Sequence, residues 1–440
     1  MQFFNSLGSL IEHRWKDRNY DEEVFPGIAA QALAETSPDK QVSPWEIIRW
    51  LYSTTEIPSQ QDVPGNFGNP PITLYSGPRF HIDIYFWLDG TTSVHQHAFC
   101  GAFQVLMGSS IHSHYSFHPQ QTLNQHFAVG EIRLESVELL EQGQIKQILP
   151  GKQYIHSLFH LDRPSATICV RTYHTASGSP QFNYVKPRFA TDPFFKEQLS
   201  VKQIQSASLL LSMQHPEAVE MIDDLLSRAD FQTAFALLDL AKGHLSGNRL
   251  ENAFGLTTGE EQFQRLLATA RRRHGELADL IPPVFDEARR QNNLTHRRGQ
   301  ITSPEHRFFL ALLLNVPDRK RMLEMVEQRF PERDPIETVT DWVEELSNTK
   351  MLGSSEPNVL GIEDFDDDYL FVLRCLLEGR SVTEAQELCA TELADEYTGE
   401  IAEILKVRYQ SIPVSALFIS LFAESAEAAR DRAAITAVTL

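Results

Sequence analysis

The sequence predicts an α+β fold in which a barrel or sandwich of short strands over 71–190 stands between a helical segment and a long all-α half. Two observations carry this. From Ile72 to about Tyr184, apolar residues alternate with a period of two, in short runs broken by turns such as Glu141-Gln142-Gly143. After Pro187 the period changes to three and four, as in Phe308, Leu312 and Leu313 or Val339, Trp342 and Leu346. A chain of 440 residues exceeds one ordinary core, which suits more than one folding unit.

Residues 1–60 read as helical, with Ile11 and Trp15 and then Ile28 and Ala32 at helical spacing. Ser43-Pro44-Trp45-Glu46 spells a helix start. Ser43 can cap, Pro44 suits the first turn and Glu46 can reach back to the cap. The Pro/Gly/Asn-rich stretch 60–71 reads as a linker, giving expected units of 1–70, 71–190 and 191–440. In the last unit, helix starts stand at His215-Pro216-Glu217, Thr258-Gly259-Glu260-Glu261, Ser303-Pro304-Glu305 and Asp334-Pro335.

Within the strand region, 80–87 (FHIDIYFW) places His81, Asp83 and Tyr85 on one face. An apolar run stops at Asp89-Gly90, turns, and re-enters carrying His95 and His97. Residues two apart on a strand share a face, so both imidazoles can converge on one ion. Further strands are expected over 109–117, 129–140, 143–149, 153–159 and 165–174. Ten of the sixteen histidines fall between His81 and His174, which favours a metal site over scattered edge-capping histidines. His112 and His114 form a second such pair but lack flanking glycines, and read as pocket lining or surface.

The strand 168–174 divides into two faces, Ile168, Val170 and Thr172 against Cys169, Arg171 and Tyr173. Ile168 and Val170 need a cover, expected from the helices beyond 190. If the histidine cavity lies on the other side, Arg171 becomes an anchor for a substrate carboxylate and Tyr173 an acid or hydrogen-bond donor. Otherwise Arg171 sits in a surface ion pair. Arg79 is the second candidate anchor.

Gly90, His95-Gln96-His97, Gly101 and Gly108 together resemble the first motif of the cupin superfamily, whose fold is a jelly-roll β-barrel. That motif has one more residue before its first His and a Glu where this chain has Gly101. Losing the Glu resembles the three-histidine, cysteine dioxygenase-like branch of thiol dioxygenases. The second cupin motif resembles Pro150-Gly151 through His156, which implies His156 as third ligand, with His160 as a competitor four residues on. Tyr173 stands about where thiol dioxygenases hold an active-site Tyr. Two departures are plain: Cys169 and Arg171 replace the Ser and His of that branch, and Cys100 is one residue away from the position of its cross-linking Cys.

The net charge of −20 removes the attraction that nucleic acid or anionic membrane would need. Four cysteines without a Cys-x-x-Cys pair suit a reducing compartment. The N-terminus lacks a basic stretch ahead of a long apolar block, so no signal peptide is expected, and the apolar run 308–314 is too short to span a bilayer. A cytoplasmic location is expected. The functional expectation is an Fe(II) cupin oxygenase that uses O2 on a small anionic substrate, with a thiol among the candidates and homo-oligomerisation left open. Competing classes are a Zn, Ni or Mn lyase or isomerase with Tyr173 as base, and a non-enzymatic ligand-sensing module whose helices bind a partner.

Overall fold

The computed structural model describes residues 2–422 apart from 89, 176, 177, 179, 195, 196, 246–258, 352, 355 and 394–397. Asp89 and Thr258, named above as turn and helix-start residues, lie outside the described residues.

Four helices come first: α1 (Gln2–Lys16), α2 (Phe25–Thr36), α3 (Pro38–Gln41) and α4 (Pro44–Ser53). The start of α4 is the expected capping box, with Ser43 accepting from Trp45 N and Glu46 from Ser43 N. Twelve strands follow: β1 (Pro71–Ser76), β2 (Phe80–Trp87), β3 (Gly90–Thr91), β4 (Val94–His97), β5 (Gly101–Met107), β6 (Ser110–Asn124), β7 (Phe127–Leu140), β8 (Ile145–Ile148), β9 (Gly151–His160), β10 (Ser165–Thr172), β11 (Asn183–Val185) and β12 (Phe189–Thr191). From Gln198 to Ser411 the named elements are all helices.

The strands form two sheets. One has the order β1-β2-β10-β5-β8, and the other β3-β9-β4-β11-β12-β7-β6. An extra pairing of β9 with β6 joins the last strand of the second sheet to its second and closes a barrel of six strands, with β3 outside the ring. Full closure leaves those strands without an open edge.

Each sheet is covered by a different group of helices. The outward residues Ile82, Ile84, Ile168 and Val170 pack with Phe4, Leu7, Ile11, Trp15, Phe25 and Leu33 of α1 and α2. This corrects the expected source of cover. The helices beyond 190 lie on the other sheet instead, where Phe127, Val129 and Phe189 join one helical core. Ile111, Val137, Leu139, Phe159 and Leu161 join a second. The period-two pattern could show that Ile168 and Val170 face outward, but not which amphipathic segment reaches them. Arg298 ties the helical half to the barrel by donating to the carbonyls of His160 and Leu161.

Two of the later helix starts use the expected caps. Ser303 accepts from His306 N, and Asp334 accepts from the N–H groups of Ile336 and Glu337. No helix among the described residues is long and apolar enough to cross a membrane.

Candidate metal centre

Strand register assembles the site. On the barrel, β9 lies between β4 and β6, so that His156 is directly opposite His95 on one side and His114 on the other. His97, two residues from His95, shares its face. One ring nitrogen from each of His95, His97 and His156 lies within 4.8 Å of the others, and all three residues are buried. His97 Nε2 and His156 Nε2 face each other at 2.9 Å. His95 Nδ1 is 2.7 Å from the Ser93 carbonyl, which places its proton there and leaves Nε2 as a lone pair.

Burial lowers the pKa of His95, and drives those of His97 and His156 well below the ordinary histidine value. All three are therefore neutral, the form that binds metal. A metal ion fits this arrangement. Two ligand atoms about 2.05 Å from one ion and at right angles to each other would stand about 2.9 Å apart, matching His97 and His156. Gly101 explains why no carboxylate joins them. A Cβ at this position would lie 1.9 Å from the Val170 carbonyl oxygen, so no side chain fits where the resemblance places a Glu.

A closed strand barrel carrying a histidine triad on adjacent strands is the arrangement expected from the motif spacing. The barrel and its triad fit a cupin. No family model matches the sequence, and no curated protein matches it. Among solved structures, one titled "Crystal structures of DMSP lyases RdDddP and RnDddQII" is similar over 36% of this chain and 76% of that chain, at 14% identity and a TM-score of 0.20. The cupin-like character rests on strand order and triad, not on that likeness.

The cavity beside the triad lies between the two sheets and measures ≈ 50 Å³, room for a few water molecules. Its walls include Phe67, Tyr85, Trp87, Phe99 and Phe103, together with Cys169 and Arg171 of β10. Burial pushes the Cys169 thiol up to about 12, so it stays protonated. A larger hollow of ≈ 380 Å³ lies around Gln96, Gly151, Lys152 and Phe182. Gln96 is on the opposite face of β4 from the triad, and among the described residues that hollow gathers no ligating cluster.

Arg171 is the predicted anchor that the structure brings to the histidines. Its Nε donates to His81 Nε2 at 2.9 Å and lies 3.9 Å from Asp83 Oδ2, while its guanidinium stacks 4.3 Å over Phe99. Burial raises the Asp83 carboxyl, but the His81 ring 3.1 Å away and the charge of Arg171 outweigh it and leave the group lowered. Asp83 also accepts from Thr73 Oγ1 and the Tyr85 hydroxyl, each at 2.8 Å. Both Nη groups of Arg171 make no protein hydrogen bond among the described residues. The two-pronged fork is thus free for a ligand.

Tyr173 and Arg79 are not brought there. Strand β10 ends at Thr172, so the alternation that aligned Tyr173 with Arg171 stops one residue short. The Tyr173 hydroxyl donates to the Gly77 carbonyl at 2.9 Å and lies 3.0 Å from Ser76 Oγ. Arg79 stacks over Tyr20 at 3.9 Å, exposed on the turn between β1 and β2. His160 is also elsewhere, its Nδ1 2.9 Å from Ser165 Oγ and 3.2 Å from Ser110 Oγ. Cys100 packs in the core beneath α1 and α2, on the opposite side from the triad.

Two features escaped the sequence reading. Phe67, in the stretch read as a linker, forms part of the cavity wall against Tyr85 and Trp87, and nothing local marks it. Tyr85 was legible, since it shares a face with His81 and Asp83. His112 is neither cavity lining nor surface: it is buried directly behind His156, with Nε2 3.0 Å from His156 Nδ1.

Proposed function

We propose that this chain is a metal-dependent cupin enzyme, an iron-dependent oxygenase in the first instance, acting on a small anionic substrate. The observation that carries the reading is the free guanidinium fork of Arg171 in the same cavity wall as the triad. Fe(II) held by three neutral imidazoles would supply open positions for substrate and O2. Neutral ligands leave the ion's charge uncompensated, and Arg171 adds a second positive centre, so both ends of the cavity favour an anion. Phe99 and the Asp83–His81 pair hold the guanidinium in place, which lowers the entropy lost on binding. The aromatic walls make the cavity largely apolar, and its small volume selects a compact substrate.

Within the thiol dioxygenase branch, support goes no further than the triad, because Tyr173 is bonded to Gly77 and Cys169 is a protonated neighbour.

A second reading has its own observation. Tyr85 lines the cavity and its hydroxyl donates to the Asp83 carboxylate, a pair that can hold and pass a proton. With Zn, Ni or Mn in the triad, this pair would serve a non-redox lyase or isomerase. Elemental analysis of the purified protein, with O2 uptake measured against a panel of thiols and small acids, separates the readings. Iron with uptake supports the oxygenase. Another metal with product but no uptake supports the lyase or isomerase. No metal and no turnover removes both and leaves a ligand-binding module.

A further inference from the structure

Behind the triad runs a line of polar side chains that the reading above does not use. His156 Nδ1 is 3.0 Å from His112 Nε2, and His112 Nδ1 is 2.9 Å from Glu138 Oε1. Glu138 Oε2 in turn accepts from Lys146 Nζ at 2.7 Å. The register builds the line: Glu138 is the cross-strand partner of His112 on β7, and His112 on β6 is the diagonal neighbour of His156. The Tyr154 hydroxyl, two residues before His156 on β9, closes on His112 Nε2 at 3.1 Å.

We propose that His112 and Glu138 are positioning residues that fix the tautomer and ring angle of His156, so that its Nε2 lone pair points at the metal. This rests on the metal reading of the triad. The direction of the hydrogen bonds follows from the carboxylate, which can only accept. Glu138 takes the proton of His112 Nδ1, so His112 Nε2 carries a lone pair. That lone pair accepts from His156 Nδ1–H and leaves His156 Nε2 unprotonated. Lys146 holds Glu138 in its charged form from the other side.

The same bonds argue against a second ion at His112, His114 and Glu138, whose ligating atoms also lie close together. His112 Nδ1 already bears a proton, and the Lys146 ammonium occupies the second carboxylate oxygen. Outer partners of this kind change metal affinity by about 10- to 100-fold when removed.

The test uses the full chain, stripped of metal and titrated with Zn²⁺ against a chromophoric chelator. His112→Leu should weaken Zn²⁺ binding by about 10- to 100-fold, and His112→Gln, which keeps an acceptor oxygen, should recover most of it. Glu138→Gln, at a half-buried and more tolerant position, should weaken binding less, because its amide can turn and release the tautomer. Ring ¹⁵N shifts of metal-free protein should show His156 protonated on Nδ1 in the native chain, and a mixture of tautomers in Glu138→Gln. A purely space-filling role for His112 would make Leu and Gln equivalent and leave the ¹⁵N shifts unmoved, which overturns the proposal. Tight Zn²⁺ binding by the native chain with unchanged affinity in His112→Leu also overturns it, while sparing the triad. Failure of the native chain to take up Zn²⁺ overturns the triad reading, and this inference with it.

Discussion

His97 and His156, fifty-nine residues apart in sequence, present Nε2 to Nε2 at 2.9 Å across the β4–β9 pair. Two lone pairs so placed repel unless a proton or a cation lies between them. His97→Ala or His156→Ala should therefore lower bound metal from one ion per chain to a trace, whereas His160→Ala should leave it unchanged. Elemental analysis after dialysis reads this directly, and loss of metal in His160→Ala would reassign the third ligand.

Arg171 should act on substrate binding and not on metal content. Arg171→Ala is expected to raise KM for the anionic substrate by about 10- to 100-fold, corresponding to roughly 1.5–3 kcal/mol for a lost charged hydrogen bond. Arg171→Lys should recover only part, since an ammonium cannot reproduce the planar fork. Steady-state kinetics on the acid identified by the uptake panel would check it; an unchanged KM would mean that the guanidinium serves only Asp83 and His81.

The two tyrosines separate by position. Tyr85→Phe removes a hydroxyl in the cavity wall and should lower kcat by about 100-fold if it moves a proton, within the usual range for general acid–base groups. Tyr173→Phe should stay within a few-fold, because its hydroxyl serves Gly77. Equal losses in both variants would restore Tyr173 to the site.

Gly101 should not accept a side chain. Its close approach to the Val170 carbonyl means that Gly101→Ala forces β5 and β10 apart, costing about 1–3 kcal/mol for an overpacked position. Gly101→Glu should lose more and should not create a fourth ligand. Urea unfolding midpoints of the two variants would decide the matter.

Stability should depend on pH through buried neutral histidines. Burial brings His160 down to about 3 and His114 to about 4 from the ordinary 6.5. Between those values the unfolded chain binds more protons than the folded one, so stability rises with pH. Metal-free protein should be at full stability above pH 6.5 and lose it progressively toward pH 4 and below. Thermal midpoints measured from pH 7.5 to 4 should fall on acidification, and a flat profile would place these rings in contact with water.

Much of this was legible in the sequence because it depends on local periodicity. Alternation with a period of two is enough to put His95 with His97, and Cys169 with Arg171, on common faces. Capping chemistry places helix starts at Ser43, Ser303 and Asp334. The shift from period two to three and four near Pro187 divides strands from helices. What the sequence could not decide is which strands become neighbours. Register alone puts His156 rather than His160 beside His95, places His112 and Glu138 behind it, and folds Phe67 over the cavity. The end of β10 at Thr172 takes Tyr173 away. These depend on contacts between distant segments, whose energy comes from packing and hydrogen-bond pairing across the sheet. Local spacing carries no record of such partners, so the choice of α1 and α2 to cover Ile168 and Val170 belongs to the tertiary structure.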